Sequence, residues 1–354
     1  MKKTAVYILN VLFIILIAVL TVNLLFRDRE LSEIIDDVDR ADKLWVLLGA
    51  ALTFGFVAGE SLIIRYMLRL FGVGISFLRC LKYSFIGFFY SYITPSSSGG
   101  QPAQIYYMKK DGIKVGHSTL IMVIVTIAYK TVLVVFGTVF FLLESGFVLE
   151  HVGGWIWLLL AGYLLNILYI SALLLAFFKP LTARKLAAVI IDLLCRMHIL
   201  RKKKREAYFA KLCRITDTYS ESADYLKTHI RAAVKIFLMT CVQRLLLFAV
   251  SWAVYRSFGL TGTGIVGIIT IQTMIALAVE MLPLPGAAGI TEACFIGVFG
   301  TIFTEQYVRS GLLLSRGLTF YGVLIAGAAV TLYAHLRVIK NKADNGGESR
   351  DRAA

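Results

Sequence analysis

The chain has 354 residues, of which 58% are hydrophobic and 17% charged, and its mean hydropathy is +0.76. Soluble domains contain roughly 45–50% apolar residues, so this composition excludes an ordinary soluble protein. The formal net charge of +15 is more typical of a membrane protein whose basic loops face anionic lipid than of a nucleic-acid-binding protein.

The apolar residues form blocks without Asp, Glu, Lys or Arg, at 4–26, 44–59, 155–178 and 257–279. About 20 helical residues cross the hydrocarbon core of a bilayer. The blocks show no alternation with a period of two, so they predict membrane-spanning helices rather than strands. Block 4–26 is too long for the apolar region of a secretory signal and is followed by no small-x-small cleavage site, so it predicts the first span.

The charges between the blocks predict the orientation. Residues 27–43 carry seven acids against four bases, whereas residues 179–231 carry thirteen Lys and Arg against five acids. Basic connections stay in the cytoplasm, which makes 27–43 external and 179–231 a cytoplasmic connector. Apolar residues at helical spacing before the basic run 201–205 favour an amphipathic helix on anionic lipid, with a solvated connector as the alternative. The prediction is a multi-pass protein of the cell membrane with both termini in the cytoplasm.

Two segments do not fit simple spans. Residues 82–108 begin and end beside basic residues and contain the turn TPSSSGGQP, while residues 257–308 lack Lys and Arg and are broken by LPLPGAAG. Proline and glycine interrupt helices, and four of the five prolines (Pro95, Pro102, Pro283 and Pro285) lie in these two breaks. We predict two re-entrant hairpins of broken helices, although two full spans remain an alternative for the second segment.

The predicted fold is therefore all-α and polytopic, with about six full spans and two re-entrant hairpins. A span, a hairpin and a span occur twice in opposite directions, over about 44–143 and 232–335, which is typical of inverted-repeat transporters. A single membrane domain is expected over residues 1–340, followed by a short disordered tail at 341–354.

Six charged residues fall at membrane depth. A charged side chain at the bilayer centre costs at least ~2.5–3.5 kcal/mol, so it usually faces a partner or a ligand pathway. Two interpretations stay open, which are internal ion pairing and a polar cavity for a charged ligand. The residues are Glu60, Lys130, Arg244, Glu280, Glu292 and Arg316.

A lipid phosphate would suit the cations and the helix N-termini at the two breaks, whose N–H groups are expected to be free. Hydroxyl and amide groups would replace headgroup hydration, a carboxylate would meet an amine, and proton or ion coupling would involve Glu60, Glu280 or Glu292. The predicted binding residues are Lys130, Arg316, Ser96, Ser97, Ser98, Gly99, Gly100, Gln101, Glu292, Gly289, Glu280 and Glu60. Neither catalytic residues, nor a metal, nor a cofactor is expected.

The segments TPSSSGGQPAQIYYMKKDGIKV and LPLPGAAGITE, with the spans carrying Lys130 and Arg316, resemble the lysylphosphatidylglycerol synthase transmembrane-region family. This is the flippase-like half of the multiple peptide resistance factor, and the resemblance covers residues 5–340. It implies movement of aminoacylated phospholipids, such as lysyl-phosphatidylglycerol, between leaflets, and a link to antibiotic resistance. Ala287, Ala288 and Gln101 depart from the family pattern.

Full-length members of the family add a domain that transfers lysine from tRNA to phosphatidylglycerol. About 15 residues follow the last predicted span, so this domain is expected to be absent. We expect a flippase- or scramblase-like lipid transporter. The alternatives are phosphatidylglycerol lysyltransferase-type synthesis and a scaffold for lipid enzymes. The expected partner is a phospholipid with an anionic or aminoacylated headgroup, and nucleic acid is not expected. A lipid-synthesis enzyme and a second copy of the chain are further candidates.

Overall fold

The computed structural model describes residues 30–94, 97–196, 205–210, 213, 229–282 and 284–351. Within these ranges all regular secondary structure is helical. The helices are α1 (Leu31–Arg40), α2 (Lys43–Leu70), α3 (Phe77–Ile93), α4 (Gly100–Lys110), α5 (Val115–Leu143), α6 (Ser145–Val152), α7 (Ile156–Phe178), α8 (Pro180–Arg196), α9 (Ile230–Ser257), α10 (Ile265–Val279), α11 (Ile290–Arg316) and α12 (Gly322–Asp351).

Five helical segments of the described chain are long and apolar enough to cross a membrane. They are Lys43–Leu70, Val115–Leu143, Ser145–Leu175, Ile230–Ser257 and Ile290–Arg337. The predicted all-α polytopic fold is thus confirmed. The first predicted span, residues 4–26, lies outside the described residues.

Two antiparallel helices, α2 and α9, form the centre of the bundle. Trp45 near the start of α2 packs edge-on against Trp252 near the end of α9, with ring centroids 5.0 Å apart. Further along, a Cβ atom on Gly59 would lie 3.0 Å from the Gln243 side chain. Glycine therefore lets the two helices approach closely, as small residues do between membrane helices.

Helices α3 and α4 form the first hairpin, which is joined by residues 94–99. At its open end, Oδ2 of Asp111 accepts hydrogen bonds of 2.5 Å from Lys82 Nζ and Tyr83 Oη. Helix α4 has 11 residues and is only about 17 Å long, less than the roughly 30 Å of a hydrocarbon core. The predicted break over 82–108 is therefore a helical hairpin, and its re-entry into a bilayer stays a prediction.

Helix α10 and the first part of α11 form the second hairpin, which is joined by residues 280–289. Its two open ends meet at Tyr255, whose Oη accepts a hydrogen bond of 3.0 Å from the Thr263 N–H and whose ring lies edge-on to Phe303. Just beyond, Thr304 has a φ of 66°, which is rare for a β-branched residue. This bend separates the hairpin from the last span.

The two hairpins approach the central pair from opposite ends. The first lies beside the C-terminal end of α2, where Arg65 Nε donates to the carbonyl oxygen of Ile75 at 3.3 Å. The second lies beside the C-terminal end of α9, which is next to the start of α2, where the Asp42 N–H donates to the carbonyl oxygen of Ser257 at 2.8 Å. Helix α12 covers the first hairpin, and α5 and α7 cover the second.

The short helices α1 and α6 pack against the bundle, where Ile34 of α1 and Val148 of α6 are fully buried. Helix α12 extends to Asp351, so it includes most of the tail from 341 that was expected to be disordered. Extension of an existing helix adds a hydrogen bond for each residue that becomes ordered, without a new nucleation step.

The connector contains helix α8, within the stretch expected to form an amphipathic helix. Arg205 pairs with Asp192 of α8, with Nε–Oδ1 at 2.5 Å and Nη2–Oδ2 at 3.0 Å. Residues 201–204 of the basic run lie outside the described residues. Binding of this region to anionic lipid stays a prediction.

Candidate functional site

The tips of the two hairpins meet in the middle of the bundle, beside a π-helical turn at Gly317–Tyr321. Tyr92 near the end of α3 donates to the carbonyl oxygen of Thr319 at 3.1 Å and packs against Phe320, with ring centroids 4.7 Å apart. On its other side Phe320 contacts the second tip, since a Cβ atom on Gly286 would lie 2.3 Å from its Cε2. The aromatic pair therefore joins the tips.

Two cations share one carboxylate at the second tip. Arg244, in the middle of α9, binds Glu280 with both terminal nitrogens, with Nη1–Oε1 at 2.6 Å and Nη2–Oε2 at 3.0 Å. Lys130, in the middle of α5, binds Oε2 at 3.0 Å. The Arg244 side chain is fully buried, and its guanidinium carbon lies 3.5 Å from the centroid of the Tyr129 ring. This group has two positive charges and one negative charge.

A second ion pair fixes the start of α11. Glu292 is almost fully buried and accepts hydrogen bonds from Arg316 Nε at 2.7 Å and from the Gly289 N–H at 2.6 Å. Gly289 has a φ of 86°, which glycine adopts without the steric cost that a Cβ atom brings. Nη2 of Arg316 is buried and has no hydrogen-bond partner among the described residues.

The third carboxyl group, Glu60 of α2, has a different environment. Its Oε1 accepts a hydrogen bond of 2.6 Å from Gln104 Nε2 of α4. Ser84 of α3 lies close to the carboxyl group and receives a hydrogen bond of 2.9 Å from Ser61. Within the described residues these partners are neutral, and no Lys or Arg pairs with Glu60.

Two of the three carboxyl groups, Glu60 and Glu280, lie near the same two tyrosines. Tyr92 interacts electrostatically with Glu60, Glu280 and Arg316. Tyr129 interacts with Glu60, Glu280 and Arg244. The structure thus brings together five of the predicted binding residues, namely Glu60, Lys130, Glu280, Glu292 and Arg316, at the meeting point of the tips.

The first tip carries only neutral groups at the predicted positions. Ser97 and Ser98 are exposed, and Nε2 of Gln101 donates to Oγ1 of Thr126 on α5. Gly100 has a packing role, because a Cβ atom there would lie 2.6 Å from the carbonyl oxygen of Gly87. Ser96, together with Pro95 and Pro283, lies outside the described residues.

The expectation of free N–H groups at the glycines of the breaks is wrong at two positions. The Gly99 N–H donates to Oγ1 of Thr94 at 2.9 Å, and the Gly289 N–H donates to Glu292. Each N–H group is satisfied by a local side chain, as at an ordinary helix start. The positive charge near the tips therefore comes from the side chains of Lys130, Arg244 and Arg316.

Internal ion pairing, one of the two interpretations that the sequence left open, is present for Glu280 and Glu292. The sequence placed Arg244 at membrane depth but not in the binding set. It gave no signal for the contacts of Tyr92, Gln104 and Phe320. Tyr129 adjoins Lys130 in the chain, and this neighbourhood was the one available hint.

Comparisons with known proteins agree with this architecture. The chain matches the family described as the lysylphosphatidylglycerol synthase TM region over residues 7–327. A UPF0104 membrane protein of Archaeoglobus fulgidus is 24% identical over 341 residues, which cover 93% of this chain and 97% of that protein.

Proposed function

The chain belongs to the lysylphosphatidylglycerol synthase transmembrane-region family, and from this premise we propose that it moves a phospholipid with an anionic or aminoacylated headgroup between leaflets. Both termini lie in the cytoplasm, and the two hairpins re-enter the cell membrane from its opposite faces. The mobile substrate is held where the tips meet, near the middle of the bilayer.

The sharing of Glu280 by Lys130 and Arg244 is the observation that carries the proposal. Charge at membrane depth is costly unless it serves a partner or a pathway, and one carboxylate balances only one of these two cations. Hydrogen-bond donors are also left over, since Nε of Arg244 and Nη2 of Arg316 are buried without partners in the described chain. A lipid phosphate would accept hydrogen bonds and supply a negative charge.

Two further features support a lipid as the ligand. The first tip presents exposed Ser97 and Ser98, and their hydroxyls suit a polar headgroup. The outside of the bundle exposes large apolar side chains such as Leu44 and Trp157, at 76% and 77%. Acyl chains can therefore stay in contact with the protein while the headgroup occupies the polar centre.

A liposome assay tests the proposal. The purified protein is reconstituted with phosphatidylglycerol that carries a fluorescent label on one acyl chain, and a membrane-impermeant reductant is added outside. Transfer exposes the label of the inner leaflet, so the fluorescence falls below the level left by bleaching of the outer leaflet. We expect Lys130→Gln to slow this phase at least about tenfold, because loss of a buried charged contact costs more than 1.4 kcal/mol.

Lys82→Gln is the matched control. It removes the same ammonium group from an ion pair with Asp111 at the open end of the first hairpin, away from the tips, and it should leave the transfer rate unchanged. Equal rates for the wild type and Lys130→Gln, or no transfer by the wild type, would overturn the proposed role.

The same preparation separates the two rival functions. Incubation with radiolabelled lysyl-tRNA and phosphatidylglycerol would yield lysyl-lipid if the chain were a synthase, and we expect none. A scaffold for lipid enzymes would fail to transfer lipid when reconstituted alone. Transfer by the isolated chain would therefore exclude the scaffold as its sole function.

A further inference from the structure

One carboxyl group at the meeting point of the tips has no Lys or Arg partner in the part of the chain that the structure describes. Glu280 binds Lys130 and Arg244, and Glu292 binds Arg316. Glu60 accepts a hydrogen bond from the neutral amide of Gln104 instead. A carboxyl group removed from water and without a cation favours its neutral form, whereas a paired carboxylate favours its charged form. Glu60 therefore has the environment of a site that exchanges a proton.

The elements around Glu60 offer few charged groups to it. Gln104 of α4 donates a hydrogen bond to it, Ser84 of α3 lies close to it, and Gln243 of α9 packs on the adjacent Gly59. The remaining titratable and charged groups face it from the other elements at the meeting point. They are Tyr92 of α3, Tyr129 and Lys130 of α5, Arg244 of α9, Glu280 after α10, Glu292 and Arg316 of α11.

Formal charges at this centre depend on the proton of Glu60. Lys130, Arg244 and Arg316 balance the three carboxylates when Glu60 is ionised, and the centre is then neutral. Protonation of Glu60 leaves a net charge of +1. A phosphodiester carries one negative charge, so the occupied and protonated centre is neutral again. Such a neutral assembly avoids the cost of an uncompensated charge in a low-dielectric interior.

We propose that Glu60 is a proton-binding site coupled to the anion site, so that one proton is taken up when one lipid phosphate binds and is released when it leaves. This inference rests on the proposed lipid transport and adds an exchangeable proton to it. Binding of the anion stabilises the protonated carboxyl group, and by linkage the proton strengthens binding of the anion. Transport of the lipid anion with its proton moves no net charge.

The coupling has a defined sign. Where Glu60 is ionised in the empty protein, lipid binding takes up a proton, so affinity falls by about tenfold for each unit of rising pH. Where Glu60 is already protonated, affinity does not change with pH. Isothermal titration calorimetry of the purified full chain in detergent measures both regimes, with dioctanoyl phosphatidylglycerol as the probe. Repetition in two buffers of different ionisation enthalpy gives the number of protons taken up.

We expect close to one proton per bound lipid on the alkaline side in the wild type. Glu60→Gln should bind the lipid with no proton uptake and with an affinity independent of pH. Glu150→Gln is the matched control, because it removes an exposed carboxyl group of α6, and it should behave as the wild type. Proton uptake that persists in Glu60→Gln would overturn the assignment.

The outcomes also separate this inference from the transport proposal. Lipid binding by the wild type without proton uptake would overturn the proton site and leave transport standing. No binding at any pH would overturn both. A second measurement needs no variant, since at alkaline pH the infrared difference spectrum on lipid binding should gain the band of a protonated carboxyl group, which shifts in heavy water whereas the ester bands of the lipid do not. Absence of that band from a lipid-bound sample would equally overturn the inference.

Discussion

The tips of the two hairpins occupy equivalent places in the bundle but are held by different forces. The second tip is fixed by ion pairs, because Glu280 binds Lys130 and Arg244, and Glu292 binds Arg316. Neutral hydrogen bonds hold the first tip, where Thr94 caps Gly99 and Gln101 reaches Thr126. Similar backbone geometry can thus be stabilised with or without charge.

The difference indicates a division of roles. Removal of one partner from a buried ion pair lowers the stability of the fold by about 3–5 kcal/mol. A neutral hydrogen bond contributes only about 1 kcal/mol to that stability. The second tip therefore supplies a rigid cationic wall. The first tip, with its exposed hydroxyls, is better suited to adjust to a headgroup. The predictions below test this contrast, from the largest expected effect to the smallest.

Arg244→Met should cause the largest loss of stability. The side chain is fully buried and binds Glu280 at two points, so its removal leaves a carboxylate with only Lys130 as partner. Loss of one member of a buried pair costs about 3–5 kcal/mol. The effect is measured as the shift in the unfolding temperature in detergent. Unfolding is detected by the reaction of a thiol label with Cys80 and Cys294, which are buried in the folded protein.

Arg231→Met provides the control for that substitution. Arg231 lies on the same helix but is exposed, so the unfolding temperature of the Arg231→Met variant should match that of the wild type. Equal unfolding temperatures for Arg244→Met and Arg231→Met would show that the ion pairs do not fix the second tip.

Gly100→Ala should have the next largest effect. A Cβ atom at this position would lie 2.1 Å from Ser91 Oγ and 2.6 Å from the Gly87 carbonyl oxygen, so the arms of the first hairpin must separate. Overpacking of this kind costs about 1–3 kcal/mol. Gly116→Ala is the control, because open space surrounds Gly116 and alanine favours the helix by up to about 1 kcal/mol. The same unfolding assay should therefore give shifts of opposite sign.

Thr94→Val should weaken the first tip modestly. Oγ1 of Thr94 donates to the carbonyl oxygen of Tyr90 at 2.6 Å and accepts from the Gly99 N–H. Valine keeps the shape and removes both bonds, so we expect a loss of about 1–2 kcal/mol. Thr119→Val removes a half-buried hydroxyl that bonds only its own helix and should cost less. A larger loss for the control would contradict the capping role.

The sequence was enough to predict the broad architecture but not the site's pairing. Blocks free of charge located the spans of α2 and α7, and proline and glycine located both breaks. These signals are local, so one chain suffices to read them. The partner of Glu280 could not be predicted, because Lys130 and Arg244 are 150 and 36 residues away and the choice between cations depends on helix packing.

The prediction of free N–H groups at the starts of α4 and α11 was wrong for Gly99 and Gly289. Glycine at a break was expected to leave its N–H groups available, but Thr94 and Glu292 lie at the distances along the chain that allow them to bond these groups. The pattern of Gly289 followed by Glu292 is that of a capping box, with a glutamate at the third helical position. That signal was present in the sequence and would have corrected the expectation for the second tip.

The smallest effect on stability is expected for Gln101→Ala. This residue is exposed, and its described contact is a hydrogen bond to Thr126, so the free energy of unfolding should change by no more than about 0.5 kcal/mol.

If the first tip adjusts to the headgroup, the Gln101→Ala variant should slow lipid transfer in liposomes several-fold. Thr119→Ala on α5, whose hydroxyl bonds only its own helix, should alter neither quantity. Normal transfer by Gln101→Ala would remove this residue from the headgroup site. A loss of stability as large as that of Arg244→Met would abolish the distinction between the two tips.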